Sequence, residues 1–123
     1  MEKTLFYARA ACDTMMRKFA AADLPPKGHF YYHQGVFLSG VLKTWQLTGE
    51  QKYLDYAASW VHAVFDESGK VKQYKSADLD DIQAGILLYT LYDATGDEFY
   101  RRCIESVAAQ VQDIPRCQCG GFW

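Results

Sequence analysis

No stretch of the 123-residue chain approaches the roughly 20 consecutive apolar residues that a membrane span needs, which sets aside a membrane-crossing protein. The first residues, Met1-Glu2-Lys3-Thr4-Leu5-Phe6-Tyr7, lack the apolar core of a secretory signal, so a cytoplasmic location is expected. Neither sign of charge is in excess: 13 Lys and Arg are scattered among 15 Asp and Glu, for a net charge of −2. That pattern offers no basic footprint for nucleic acid or an anionic membrane surface. No G-x-S-x-G, P-loop, G-x-G-x-x-G or H-E-x-x-H occurs, leaving nucleophilic-elbow hydrolase, nucleotide and zincin chemistry without support. Cysteine is sparse, with Cys12 and Cys103 isolated and Cys117-Gln118-Cys119 forming a C-x-C in place of the C-x-x-C pairs of most zinc sites. Four free thiols are expected, and no metal site or cofactor.

What is present is apolar and helical in period. Half of the residues are hydrophobic, enough for a single globular unit with its own core. Apolar residues at three- and four-residue spacing predict a helix over Glu2 to Ala22, carrying Leu5, Ala8, Cys12, Met15, Met16 and Phe19. A second helix is expected from Gln34 to Leu47, burying Val36, Phe37, Gly40, Val41 and Trp45. A third runs from Gln51 to Phe65 with Tyr53, Leu54, Ala57, Trp60, Val61 and Val64 on one stripe. Residues 70 to 78 read as a loop, with a short extended piece at Val71 to Tyr74. A fourth helix, Asp81 to Ala94, is apolar nearly all round, and a fifth spans Asp97 to Asp113. The expected core includes Trp45, Trp60, Leu88, Leu91, Ile104 and Val107, with the fourth helix partly uncovered.

The two later helix pairs repeat each other. Thr48-Gly49-Glu50-Gln51-Lys52-Tyr53 is echoed by Thr95-Gly96-Asp97-Glu98-Phe99-Tyr100, 47 residues further on. In each, glycine suits the left-handed position after a helix and the acidic residue suits the start of the next. Tandem αα-hairpins with this period predict an all-α solenoid or toroid. After Pro115 the chain stops on Gly120-Gly121-Phe122-Trp123 with no capping helix, so residues 1–123 are expected to be the N-terminal part of a single longer domain.

Two clusters could carry chemistry. Asp78, Asp80 and Asp81 lie where the chain enters the fourth helix; one can cap the helix while another faces a cavity. His29, Phe30, Tyr31, Tyr32, His33 and Gln34 precede the second helix in the same way. Aromatic rings at such an entrance can stack on the apolar faces of sugars, or they can simply pack in the core. His62, mid-helix, reads as structural, and His29 and His33 have no second ligand set for a metal.

Taken in order, Phe30-Tyr31-Tyr32-His33-Gln34-Gly35-Val36, Asp78-Leu79-Asp80-Asp81-Ile82-Gln83-Ala84-Gly85 and Pro115-Arg116 with Gly120-Gly121-Phe122-Trp123 resemble the N-terminal part of the unsaturated glucuronyl and rhamnogalacturonyl hydrolases, glycoside hydrolase families 88 and 105, closest to 105. The resemblance implies an (α/α)6 toroid of six helical hairpins. It implies removal of unsaturated uronic acid from oligosaccharides left by polysaccharide lyases, as in pectin breakdown, by hydration of the C4=C5 double bond. Carried over, Asp80 is a catalytic carboxylate, and Tyr32, Phe30, His33 and Trp123 are substrate-binding residues. The chain departs from the family at Phe30, where Trp is usual, at Asp81, where His or an aromatic is usual, and at Ala84, where Pro is usual. The principal acid/base aspartate would lie beyond Trp123, so residues 1–123 alone are expected to be inactive. The rival readings are a non-catalytic helical-hairpin interaction module and another α/α toroid sugar enzyme such as an epimerase. Subunit number is left open.

Overall fold

A computed structural model describes residues 1–73 and 78–122. Among them are five α-helices: α1 (Glu2–Lys18), α2 (Tyr32–Thr48), α3 (Gln51–Val64), α4 (Ile86–Thr95) and α5 (Glu98–Gln112). Short 3-10 turns occupy Ala21–Asp23, Leu79–Asp81 and Gln83–Gly85, and extended pairing is limited among the described residues to isolated bridges at Phe65 with Val71 and Arg116 with Phe122.

Helices α2 and α3 form one hairpin and α4 and α5 a second, and α2 packs on α4 between them. The six apolar residues of the α3 stripe, Tyr53, Leu54, Ala57, Trp60, Val61 and Val64, are all buried, as a 3.6-residue period requires of a helix covered along one face. From the second hairpin Leu87, Leu88, Leu91, Phe99, Tyr100, Cys103 and Val107 join the same core. Helix α1 lies outside α2, held where Cys12 Sγ meets Thr44 Oγ1 at 3.6 Å and where Tyr53 donates to Asp13 Oδ1 at 3.0 Å.

Several expected boundaries and burials need correction. The first helix ends at Lys18, because Phe19 turns extended and the chain re-enters as the 3-10 turn at Ala21. The second begins two residues earlier than its apolar pattern indicated, and Val36 is 61% exposed. The buried face of α2 instead carries Gln34, Gly35, Leu38, Val41, Leu42 and Thr44, and Gly40 is exposed. The expected fourth helix is broken: residues 79–85 form two 3-10 turns and α-helix begins only at Ile86. Trp45 and Ile104 border the core half-buried. Ile86 and Tyr89, on the outer side of α4, are exposed, in agreement with a partly uncovered helix. Val71 pairs with Phe65, whereas Tyr74, the far end of the expected extended piece, lies outside the described residues.

Candidate functional site

Gln34 builds the entrance to α2. Its amide, 1% exposed, donates through Nε2 to the carbonyls of Pro26 at 2.7 Å and Leu24 at 3.3 Å, while its Oε1 accepts the Tyr31 N–H at 3.1 Å. Every polar atom of the buried amide is thereby used, which burial of such a group demands. The result pins residues 24–31 against the first turn of α2 and fixes where the rings of Phe30 and Tyr31 stand. A glutamine three positions after the N-cap is half of a capping box, but the N-cap residue is Tyr31 in place of Ser or Thr, so the sequence did not display the motif.

The acidic segment is held from two sides. Asp78 Oδ1 accepts the Asp80 N–H at 2.9 Å, making Asp78 the cap of the 3-10 turn and leaving the Asp80 side chain free to face outward. Beneath it, Gly35 of α2 faces Ala84: a Cβ on Gly35 would stand 2.9 Å from Ala84 Cα. Only a residue without a side chain permits that approach, and it brings the two entrances together. Across the junction Tyr31 donates its hydroxyl to Asp80 Oδ2 at 3.4 Å, a long bond. Partial desolvation, followed by the Asp80 carboxylate, raises the Tyr31 phenol above its usual range, so it remains a hydrogen-bond donor at neutral pH.

The cleft beside this pair has a volume of about 440 Å³ and is lined by Pro26, His29, Phe30, Tyr31, Gln73, Asp78 and Asp81. It therefore offers aromatic surface, an imidazole, an amide and carboxylates, a mixture suited to a ring with an apolar face and a hydroxylated edge.

The expected site residues fall into distinct places. Asp80 is exposed and accepts the Tyr31 hydroxyl, but it is not among the residues that line the cleft, whose carboxylates are Asp78 and Asp81. Tyr32 is the first residue of α2, half-buried; its ring lies 4.9 Å from Tyr31 and 4.0 Å from the ring of His33, which is exposed. It is Tyr31, not assigned from the sequence, that reaches the carboxylate. Phe30 is 3% exposed, with one face on Trp60 at a centroid distance of 5.8 Å and Phe65 edge-on at 5.1 Å, and it also lines the cleft, so its ring serves the core as well as the wall. Trp123 lies outside the described residues. His62 is on the surface, stacked on Phe99 at 4.4 Å, away from this cleft.

Comparison with known proteins bears on this arrangement. The sequence model of Glycosyl Hydrolase Family 88 matches residues 7–123. Among solved structures, the family 105 glycoside hydrolase of C. acetobutylicum ATCC 824 is similar to this chain with a TM-score of 0.84 and 28% identity, covering 95% of the chain. The chain spans 32% of the length of that structure, about a third.

Proposed function

The chain belongs to glycosyl hydrolase family 88, and from that premise we propose that it supplies the N-terminal part of the active site of an unsaturated-uronyl hydrolase. Its helical hairpins are those of an α/α toroid of the six-hairpin glycosidase type, as the family 105 likeness requires. The observation that carries the reading is the meeting of Tyr31 and Asp80 across two helix entrances, beside a cleft with aromatic and polar walls that Tyr31 helps to line.

In this reaction an aspartic acid donates a proton to C4 of the enol ether, water adds at C5, and the resulting hemiketal collapses and releases the neighbouring sugar. Asp80 is one of the two carboxylates flanking the substrate. The Tyr31 hydroxyl orients it by donating a hydrogen bond to Oδ2, and Asp78 holds its backbone. Tyr32 and His33 extend the rim, Trp123 contributes a further ring, and the other carboxylate comes from chain outside residues 1–123. The substrate is an unsaturated oligosaccharide of pectic origin, met in the cytoplasm.

The test joins this chain to the remaining two thirds of the C. acetobutylicum family 105 protein and follows loss of ultraviolet absorbance from lyase-generated disaccharides. The joined protein is expected to turn over, and residues 1–123 alone are not. Asp80→Asn is expected to lower turnover by roughly 10²–10⁴-fold, the range of a positioned acid/base group. Asp78→Asn keeps a side-chain oxygen for the cap and is expected to change it little. Equal, near-wild-type activity of both variants would remove Asp80 from the site.

A further inference from the structure

The C-x-C of the last residues is absorbed neither by the fold nor by the site above. Residues 116–122 form a tight hairpin: Cys117 N–H donates to Gly121 O at 3.0 Å, Gly120 N–H returns to Cys117 O at 2.8 Å, and Gly120 turns at φ +82°. Arg116 closes its base, donating to Gly120 O at 3.1 Å with its guanidinium 3.6 Å above the Phe122 ring. Within this frame the two sulfurs sit on the same side, 3.0 Å apart, over Gly121, where an added Cβ would stand 3.4 Å from the Cys117 sulfur and 3.7 Å from that of Cys119.

We propose that Cys117 and Cys119 are a redox-active dithiol that closes to an intramolecular disulfide by exchange with a low-molecular-weight disulfide. The separation itself discriminates between the two chemistries open to a thiol pair. Two thiolates each about 2.3 Å from one tetrahedral zinc stand roughly 3.8 Å apart. The sulfurs here are closer than that, and among the described residues no group of three or more His, Cys, Asp or Glu gathers to complete a metal site. A disulfide requires an approach of only about 1 Å more.

Cys119 is the exposed member and Cys117 the half-buried one. Hydrogen bonding from Cys117, then from the Gly121 backbone, lowers the Cys119 thiol below its usual range, which favours it as the attacking thiolate. The Cys119 thiolate attacks one sulfur of oxidised glutathione and expels one glutathione thiolate, leaving a mixed disulfide. Cys117 loses its proton to solvent and attacks the Cys119 sulfur, expelling the second glutathione. The dithiol is oxidised by two electrons and one glutathione disulfide is reduced to two thiols.

The other two cysteines serve as internal references. Cys12 and Cys103 are buried, and burial raises both thiols, that of Cys103 to about 12. The experiment equilibrates the 123-residue chain over a series of reduced-to-oxidised glutathione ratios, quenches in acid, alkylates under denaturing conditions and weighs the peptides. The expected result is a C-terminal peptide lighter by about 2 Da than the dithiol, appearing with the ratio, while Cys12 and Cys103 remain alkylated. Cys117→Ser is expected to stop at a glutathione adduct on Cys119, and Cys119→Ser to slow thiol loss. The proposal is overturned if the wild-type peptide keeps both thiols at the most oxidising ratio, stops at glutathione adducts, or yields only disulfides between chains.

Discussion

The two hairpins close with the same turn and live in different surroundings. At the first, Gly49 turns at φ +71° and donates to Trp45 O at 2.7 Å; at the second, Gly96 turns at +66° and donates to Tyr92 O at 2.7 Å. Thr48 and Thr95 each bond back to a carbonyl four residues earlier, at 2.8 and 2.7 Å, and each hydroxyl accepts the N–H two residues on at 3.2 Å. The acidic residue that follows is where they diverge. Asp97 is short enough to accept the Phe99 N–H at 2.8 Å and so caps α5. Glu50, one methylene longer, turns away to Arg9 at 2.6 Å and Lys52 at 3.3 Å. The first hairpin uses its acid to dock α1; the second, with no outer helix on it among the described residues, uses its acid on its own backbone. A repeated motif thus specifies the turn, while the neighbour decides what its charge does.

The largest effect that separates the hairpins should come from their apolar residues. Trp60→Ala in the covered first hairpin is expected to cost about 3–5 kcal/mol of unfolding free energy in a denaturant titration, because an almost wholly buried indole is lost. Ile86→Ala on the open side of the second should stay within about 0.5 kcal/mol, its side chain being 60% exposed. Comparable losses at both positions would mean that the outer face of α4 is covered in solution.

Next in size are the turn glycines. Gly49→Ala and Gly96→Ala are expected to lose about 1–2 kcal/mol each, and nearly equally, since neither meets any neighbour and both are held at positive φ. A difference well beyond that range would show the turns to be energetically unlike despite their geometry.

The acidic partners should differ in kind. Asp97→Ala removes an N-cap and is expected to cost about 1 kcal/mol at any ionic strength. Glu50→Ala should cost less and lose its effect as salt is raised, because only partly exposed ion pairs are removed.

The smallest effect is acid-dependent. The Lys52 ammonium, aided by the Tyr53 hydroxyl, holds the Asp13 carboxyl below its usual range despite some desolvation. A depressed folded-state pKa contributes stability that is complete above the ordinary carboxylate range and fades as the pH falls through the lowered value. Melting temperature is therefore expected to decline more steeply with acid in the wild type than in Asp13→Asn, and parallel curves would remove this pair from the docking of α1.

How much of this could be read from the residues depended on whether one face of a helix decides its environment. The α3 stripe was legible in full because a single face is buried and its period is regular. Val36 misled because α2 packs against α1, α3 and α4, and its position falls on none of those contacts. Residues 81–85 carried a helical apolar pattern, yet the Asp78 cap and the close packing of Ala84 and Gly85 hold residues 79–85 in 3-10 turns. At the site, Asp80 was legible only through its motif, and the choice between Tyr31 and Tyr32 rested on where α2 begins. A shift of one residue turns a side chain by about 100° around a helix, enough to exchange a ring that reaches the carboxylate for one that does not.

The contact of Gly35 with Ala84 gives the bundle a fulcrum. It lies at the inner end of two short arms whose outer ends carry the Tyr31 hydroxyl and the Asp80 carboxylate, already at the limit of hydrogen-bond reach. A single methyl inserted at that pivot would open the arms and sever their tips from each other. The parting of the two tips would then trace to a glycine beneath them, and a search confined to the hydroxyl and the carboxylate would look for its cause in the wrong place.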